Sequence, residues 1–163
     1  MQEFTKIKNQ TKLKLPKDSA YLFRLGVALY GFNCINSFII EIVCHLDKKQ
    51  NKIQLNDKSS GDVLDILRQT LKSIKSQKVF PSIYKTMQKM TDLFEKLNTE
   101  RTDFIHSYPI TSPKGNQILH RRKDSKNKHF EITNEFLDSF ISRLHKVSNG
   151  LYEIREVVKS DLQ

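Results

Sequence analysis

Cysteine is almost missing from this 163-residue chain, which carries only Cys34 and Cys44. On one helix the two would stand about 15 Å apart, well beyond disulfide reach, so the sequence predicts reduced core thiols rather than a stapled fold. Neither they nor the five histidines cluster at zinc-ligand spacing, and no metal or cofactor is expected. The five glycines form no phosphate-binding loop, and no Ser/His/Asp arrangement, paired-carboxylate signature or internal repeat is visible. Long hydrophobic runs are lacking as well. No stretch of about eighteen apolar residues is free of charge, and Met1 to Pro16 has no apolar segment of the kind a secretory signal requires. These gaps predict a cytoplasmic protein that does not sit in a membrane.

Acidic side chains are also in deficit. Eighteen Asp and Glu stand against 28 Lys and Arg, for a formal charge of +10 and a pI near 9.6. Such an excess points to polyanions, whether nucleic acid or an anionic membrane surface. A hydrophobic content of 37% suffices for a single core, so residues 1–163 read as one domain.

Along the chain, residues 1–16 are a lysine-rich arm. Asp18 or Ser19 then caps a helix from Tyr21 to about Leu46, in which Leu22, Leu25, Leu29, Phe32, Ile35, Ile39, Ile42 and Val43 recur at helical spacing over more than half the circumference. On its narrower polar side stand Asn33, Asn36, Ser37 and Glu41, either bonded in the core or looking into a site. Asp47 to Lys58 is a polar loop. Ser59, Ser60 and Asp62 announce a second amphipathic helix, and Pro81 opens a third that Pro109 stops. Residues 109–132 form a basic insert, a loop or small hairpin with Gln117 to Leu119 facing His129 to Ile132, in which Lys114, Arg121, Arg122, Lys123, Lys126 and Lys128 are suited to grip phosphates. Thr133 or Asn134 caps the last helix, which Gly150 kinks or divides. The expected architecture is all-α: an up-and-down bundle of four main helices with the basic insert before the last.

The third helix carries the most informative stretch. Ile83, Met87, Met90, Phe94 and Leu97 follow one helical face, and the next position in that register is Arg101. A guanidinium keeps its charge, so an apolar face that presents one must open onto a partner, a groove or a ligand. His106 follows five residues later, about 140° around the helix and about 7.5 Å along it, so the two flank a groove. Basic residues at a helix C-terminus also complement its dipole, and that plainer reading competes.

A helical bundle whose late helix ends in Arg-x-x-x-x-His resembles the HEPN superfamily, the higher eukaryote and prokaryote nucleotide-binding domains. The extended form Arg-x-x-x-x-His-x-Tyr, found in HEPN toxins paired with nucleotidyltransferase antitoxins, is matched by Arg101, His106 and Tyr108. Thr102 stands where the family often has Asn, Asp or His, and the insert exceeds the compact nucleotidyltransferase-paired form. The resemblance implies a metal-independent endoribonuclease, a toxin or antiphage effector, working as a homodimer whose two motifs share one cleft. In that scheme Arg101 and His106 are catalytic, and Tyr108, Asp103, Asn33, Asn36 and Glu41 are candidates for site support. Tyr108 either orients a base or phosphate, receives a modification from a partner nucleotidyltransferase, or simply packs at a helix end.

The chemistry agrees with the residue types. An imidazole can take the proton from a ribose 2′-OH or protonate the leaving 5′-oxygen near neutral pH, but not both in one concerted step. A second copy supplies the second histidine, and the stripe Met90, Phe94 and Leu97 is expected to continue into the contact between copies. Arg101 suits the scissile phosphate and its transition-state charge. The same charge and basic insert serve a non-catalytic RNA-binding or scaffold module of a toxin-antitoxin or defence complex equally well.

Overall fold

The computed structural model describes residues 2–10, 15–123 and 128–160. The element order is α1 Gln2–Gln10, α2 Ser19–Leu46, α3 Lys52–Asn56, α4 Ser60–Gln77, α5 Tyr84–Ile105, β1 Tyr108–Thr111, β2 Gln117–Lys123, β3 Lys128–Ile132 and α6 Asn134–Ser160. Among the described residues this is six helices and a three-stranded antiparallel sheet. The expected all-α bundle of four main helices is therefore corrected on two counts, the sheet and the helix directions.

Capping chemistry sets the helix starts. The Asp18 carboxylate accepts from Ala20 N at 2.9 Å, which satisfies one of the free amides opening α2. At α4 the Ser59 hydroxyl accepts from Asp62 N while the Asp62 carboxylate accepts from Ser59 N, a reciprocal capping box. The Thr133 hydroxyl accepts from Phe136 N at the start of α6. Two helices arise where the sequence reading placed none. The lysine-rich arm holds α1, whose described side chains are exposed. The expected polar loop holds α3, capped by Asn51 and pinned by Leu55, which is 2% exposed. Pro81 lies in a turn rather than in the helix. Lys78 and Phe80 take left-handed backbone there to reverse the chain, so α5 begins three residues after it.

Side-chain pairs give the helix directions. Arg24 meets Asp138 at 2.7 Å and Phe38 meets Tyr152 with ring centroids 4.9 Å apart, so α2 and α6 run parallel. Glu100 pairs with Arg143 and Met90 lies against Gly150, so α5 opposes α6. Arg68 pairs with Glu95 and Lys75 stands over the Tyr84 ring, so α4 opposes α5. It follows that α2 and α4 are parallel, and residues 47–59 carry the chain back between them. An up-and-down bundle would alternate at every step. The core between these helices is built on Phe32, Phe94, Phe140, Ile39, Met87 and Leu137, each under about 2% exposed.

The sheet order is β1-β2-β3, with Tyr108↔His120 in the first ladder and Leu119↔Ile132 in the second. Part of the expected hairpin is present as β2 and β3, while β1 extends it by a strand that had been read as helix end and loop. Pro109 sits on β1, an edge strand, where its missing amide proton leaves no ladder bond unmade. Gly115, at φ +79°, supplies the left-handed residue of the β1–β2 turn. Ile132 is fully buried, Phe130 packs edge-on against Phe136, and the Tyr21 hydroxyl accepts from Leu119 N at 2.9 Å. Burial pushes the Tyr21 phenol above its ordinary value. Through these contacts the sheet closes the end of the bundle where α5 finishes and α2 and α6 begin.

Gly150 neither kinks nor ends α6, which runs unbroken. A Cβ there would stand 2.3 Å from Met90 Sδ, so the missing side chain is what lets α5 and α6 approach. Gly150→Val is expected to cost about 1–3 kcal/mol in urea unfolding. Met90→Ala added to that variant should recover part of the loss. Equal stability of Gly150→Val and the parent would refute the close-packing role.

The helix α2 is long and apolar enough to cross a membrane by length and composition, with a mean hydropathy of 1.6 in its best window. In the structure 39% of that window is buried: Ala28, Phe32, Ile39 and Val43 are at most 1% exposed, while Phe23 and Tyr30 on the same helix stand 68% and 74% exposed. Cys34 stands exposed and Cys44 half-buried, so the expectation of two core thiols fails for Cys34, which lies on the outer face of α2.

Candidate functional site

The end of α5 is assembled by aromatic stacking below and ion pairs beside it. Phe94 lies against Phe32 of α2, with ring centroids 5.3 Å apart and planes 13° apart. Two turns later on the same face comes Arg101, whose Cζ stands 5.5 Å from the centroid of the same Phe32 ring. The register that led from Phe94 to Arg101 in the sequence is thus real, and the group the guanidinium first meets is an aromatic face.

The carboxylates on either side of Arg101 are taken by other arginines. Glu100 accepts two hydrogen bonds from Arg143, at 2.6 Å and 2.5 Å. Asp103, buried, lies 2.9 Å from Arg121 Nε, an ion pair rather than an aligned hydrogen bond. Among the described residues no carboxylate comes within ion-pair distance of Arg101. Its charge is half-buried and no carboxylate among the described residues neutralises it.

His106 is the C-cap of α5, exposed, with its amide bonded to Thr102 O at 3.1 Å. Its carbonyl accepts from Arg121 Nη1 at 3.4 Å. Arg121, expected to grip phosphate, instead fastens the helix end through Asp103 and that carbonyl. The imidazole of His106 makes no hydrogen bond among the described residues. The motif pair therefore shares one helix end, with Arg101 turned in over Phe32 and His106 facing out.

Tyr108 does not share the face of Arg101, because α5 stops at Ile105 and Tyr108 opens β1. Its hydroxyl lies 3.0 Å from Nδ1 of His120, its cross-strand partner, and its ring is 48% exposed. His120 itself is buried at 8% exposure and was hidden in the sequence inside a run of basic residues. Only the alternation of β2, with Ile118 and His120 on one face, marks it out.

Asn33, Glu41 and Lys114 do not join this end. Asn33 and Glu41 line a separate groove with Tyr152 and Arg155. Asn36, one turn past Phe32, has a buried Oδ1 with no hydrogen-bond partner among the described residues. Lys114 lies in the β1–β2 turn beside a cavity of about 360 Å³ shared with Asp18, Glu131 and Glu135. There the Glu135 carboxyl is held below its usual range by its own backbone amide first, then by the Thr133 hydroxyl, with Lys114 adding a smaller pull. Arg122, Lys123 and Lys128 have their backbones in β2 and β3, their side chains lie outside the description, and Lys126 lies outside the described residues.

The stripe Met90, Phe94 and Leu97 is 7%, 0% and 0% exposed. It is spent inside the monomer and is not left for a second copy. The apolar groups still uncovered near the motif are Ile105, one turn after Arg101, and Leu29, one turn before Phe32, at 43% and 37% exposure. Among the described residues no three His, Cys, Asp or Glu side chains are grouped to hold a metal ion. Comparison with protein-family models, with curated proteins and with solved structures gives no match.

Proposed function

We propose that this chain is a metal-independent endoribonuclease of HEPN type, acting in the cytoplasm as a toxin or antiphage effector. The observation that carries the reading is the guanidinium of Arg101, without a carboxylate partner among the described residues and set over Phe32 at the same helix end as the exposed His106. A preorganised cation without an internal counter-ion is suited to a phosphate and to the charge that builds on it in the transition state. Arg101 binds the non-bridging oxygens. One His106 takes the 2′-OH proton, and the ribose oxygen then attacks phosphorus to close a 2′,3′-cyclic phosphate. The His106 of a second copy gives its proton to the departing 5′-oxygen. DNA, without the 2′-OH, is not cut.

Two copies meet over Leu29 and Ile105, exposed apolar residues one helical turn from Phe32 and from Arg101 respectively, which sets both motifs beside one strand. Tyr108, half-exposed two residues after His106 with its hydroxyl against His120, is the residue a nucleotidyltransferase antitoxin would modify. A second reading draws on the same stacking: Arg101 is satisfied by Phe32 as a packing group, and the basic chain binds RNA or scaffolds a defence complex without cutting.

The deciding experiment incubates purified protein with total tRNA and messenger RNA in excess chelator and analyses the new ends. Cyclic phosphates and 5′-hydroxyls are the expected products. Binding without cleavage would leave the scaffold reading, and loss of cleavage on chelation would reject the metal-free mechanism.

A further inference from the structure

The outer face of α2, away from the buried Phe32, meets α6 in an open groove of about 480 Å³ that the proposed chemistry does not use. Two tyrosines look into it: Tyr30 is 74% exposed and Tyr152 is 49% exposed. Single exposed aromatics are ordinary on a protein surface, but here they share the groove with a cation already stacked. The Arg155 guanidinium lies 4.6 Å from the Tyr152 centroid and 5.2 Å from that of Phe38, and those two rings pack edge-on. Arg155 Nε is buried without a hydrogen-bond partner among the described residues, where the carboxylate of Glu156 lies 3.9 Å away and is itself largely exposed. Among the described residues, that distant carboxylate is the one ion-pair partner of Arg155. Lys52 adds a second cation to the lining and Glu41 a carboxylate.

Aromatic faces interleaved with cations are what a single-stranded nucleic acid binds: bases stack on rings, and phosphates run along the positive charges. A carboxylate in such a groove accepts from exocyclic amino groups, which adenine, cytosine and guanine carry and uracil lacks. We propose that the groove is a binding subsite for single-stranded RNA, with Tyr30 and Tyr152 as stacking platforms, Arg155 and Lys52 on the backbone, and Glu41 favouring amino-bearing bases. The inference rests on RNA being the ligand of this chain, as in the reading above. It adds a place where substrate is held apart from the bond that is cut.

The full chain carrying His106→Ala, which keeps RNA intact, serves as the test protein. Labelled oligoadenylate and oligouridylate are titrated at low salt and followed by anisotropy. With no tryptophan in the sequence, tyrosine emission is also directly readable. Expected are quenching of that emission, a rise in Kd of about tenfold or more for Tyr30→Ala with Tyr152→Ala, and a reduced preference for oligoadenylate in Glu41→Gln. A check that leaves the groove sequence unchanged uses Cys34, which lines the groove and is exposed, while burial pushes the Cys44 thiol up and slows its reaction. A bulky maleimide on Cys34 should weaken binding as the tyrosine changes do. Unchanged Kd after both treatments overturns the proposal. So does a change in sedimentation mass with no change in Kd, which would make the groove a contact between copies. Groove variants without effect beside intact cleavage by the parent sink the groove alone, whereas groove-dependent binding without cleavage sinks the nuclease reading alone.

Discussion

His106→Ala is expected to lower RNA cleavage by about 10²–10⁴-fold, the contribution of a positioned acid or base, while leaving RNA affinity and the far-UV circular dichroism unchanged. The fold should not respond, because the imidazole is exposed and makes no hydrogen bond among the described residues. The informative version is a mixed dimer of one parent chain and one His106→Ala chain. If the two histidines of a pair act as base and acid in the same step, the mixed dimer falls as far as the doubly substituted one. If each chain cuts alone, about half the activity survives. Arg101→Ala should lose about 10²–10³-fold, and Arg101→Lys should recover little, because a point charge on a flexible stem neither stacks on Phe32 nor makes two parallel hydrogen bonds to phosphate. Removing Arg101 and His106 together should cost little more than removing one, since they act as a unit. Cleavage that persists in both single variants would end the assignment.

What the sequence disclosed about this end was its register, not its surroundings. Met90, Phe94, Leu97 and Arg101 share a helix face in the structure as their spacing requires, but periodicity does not say what covers an apolar face. The stripe was expected to meet a second copy, and α2, α4 and α6 of the same chain cover it instead. The partner of Arg101 was equally out of reach, because Phe32 lies 69 positions earlier and nothing local ties the two together. Caps were legible: Asp18, Ser59 with Asp62, and Thr133 each perform locally the chemistry their positions announce. Helix direction was not, since the parallel course of α2 and α4 is decided by which faces bury best against α5 and α6. The sheet was half visible. Strands β2 and β3 show turn chemistry and apolar residues, whereas β1 begins at a tyrosine that fitted the helix register and contains a proline, which on an edge strand costs nothing. Short α3 falls below any window in which a helical period can be counted. His120 was lost in a basic run because burial of one polar side chain leaves no mark on composition.

Phe32 joins stability to the site and gives the largest expected effect on the fold. Its ring is fully buried, stacked on Phe94 and facing Arg101. Phe32→Ala should cost about 3–5 kcal/mol in chemical unfolding, from lost transfer energy and the cavity left between α2 and α5. That is a large share of the 5–15 kcal/mol available to an ordinary domain, so the variant should unfold at markedly lower urea. Phe32→Leu separates the two roles. It keeps most of the apolar volume and should cost less than about 1.5 kcal/mol, yet it removes the π face on which the guanidinium rests. If that face positions Arg101 for phosphate, Phe32→Leu remains folded but loses cleavage through kcat rather than KM, because the substrate is still held while the transition-state charge is not. Cleavage at parental kcat in a well-folded Phe32→Leu protein would show that Arg101 needs no aromatic seat, and the stacking would then be packing alone.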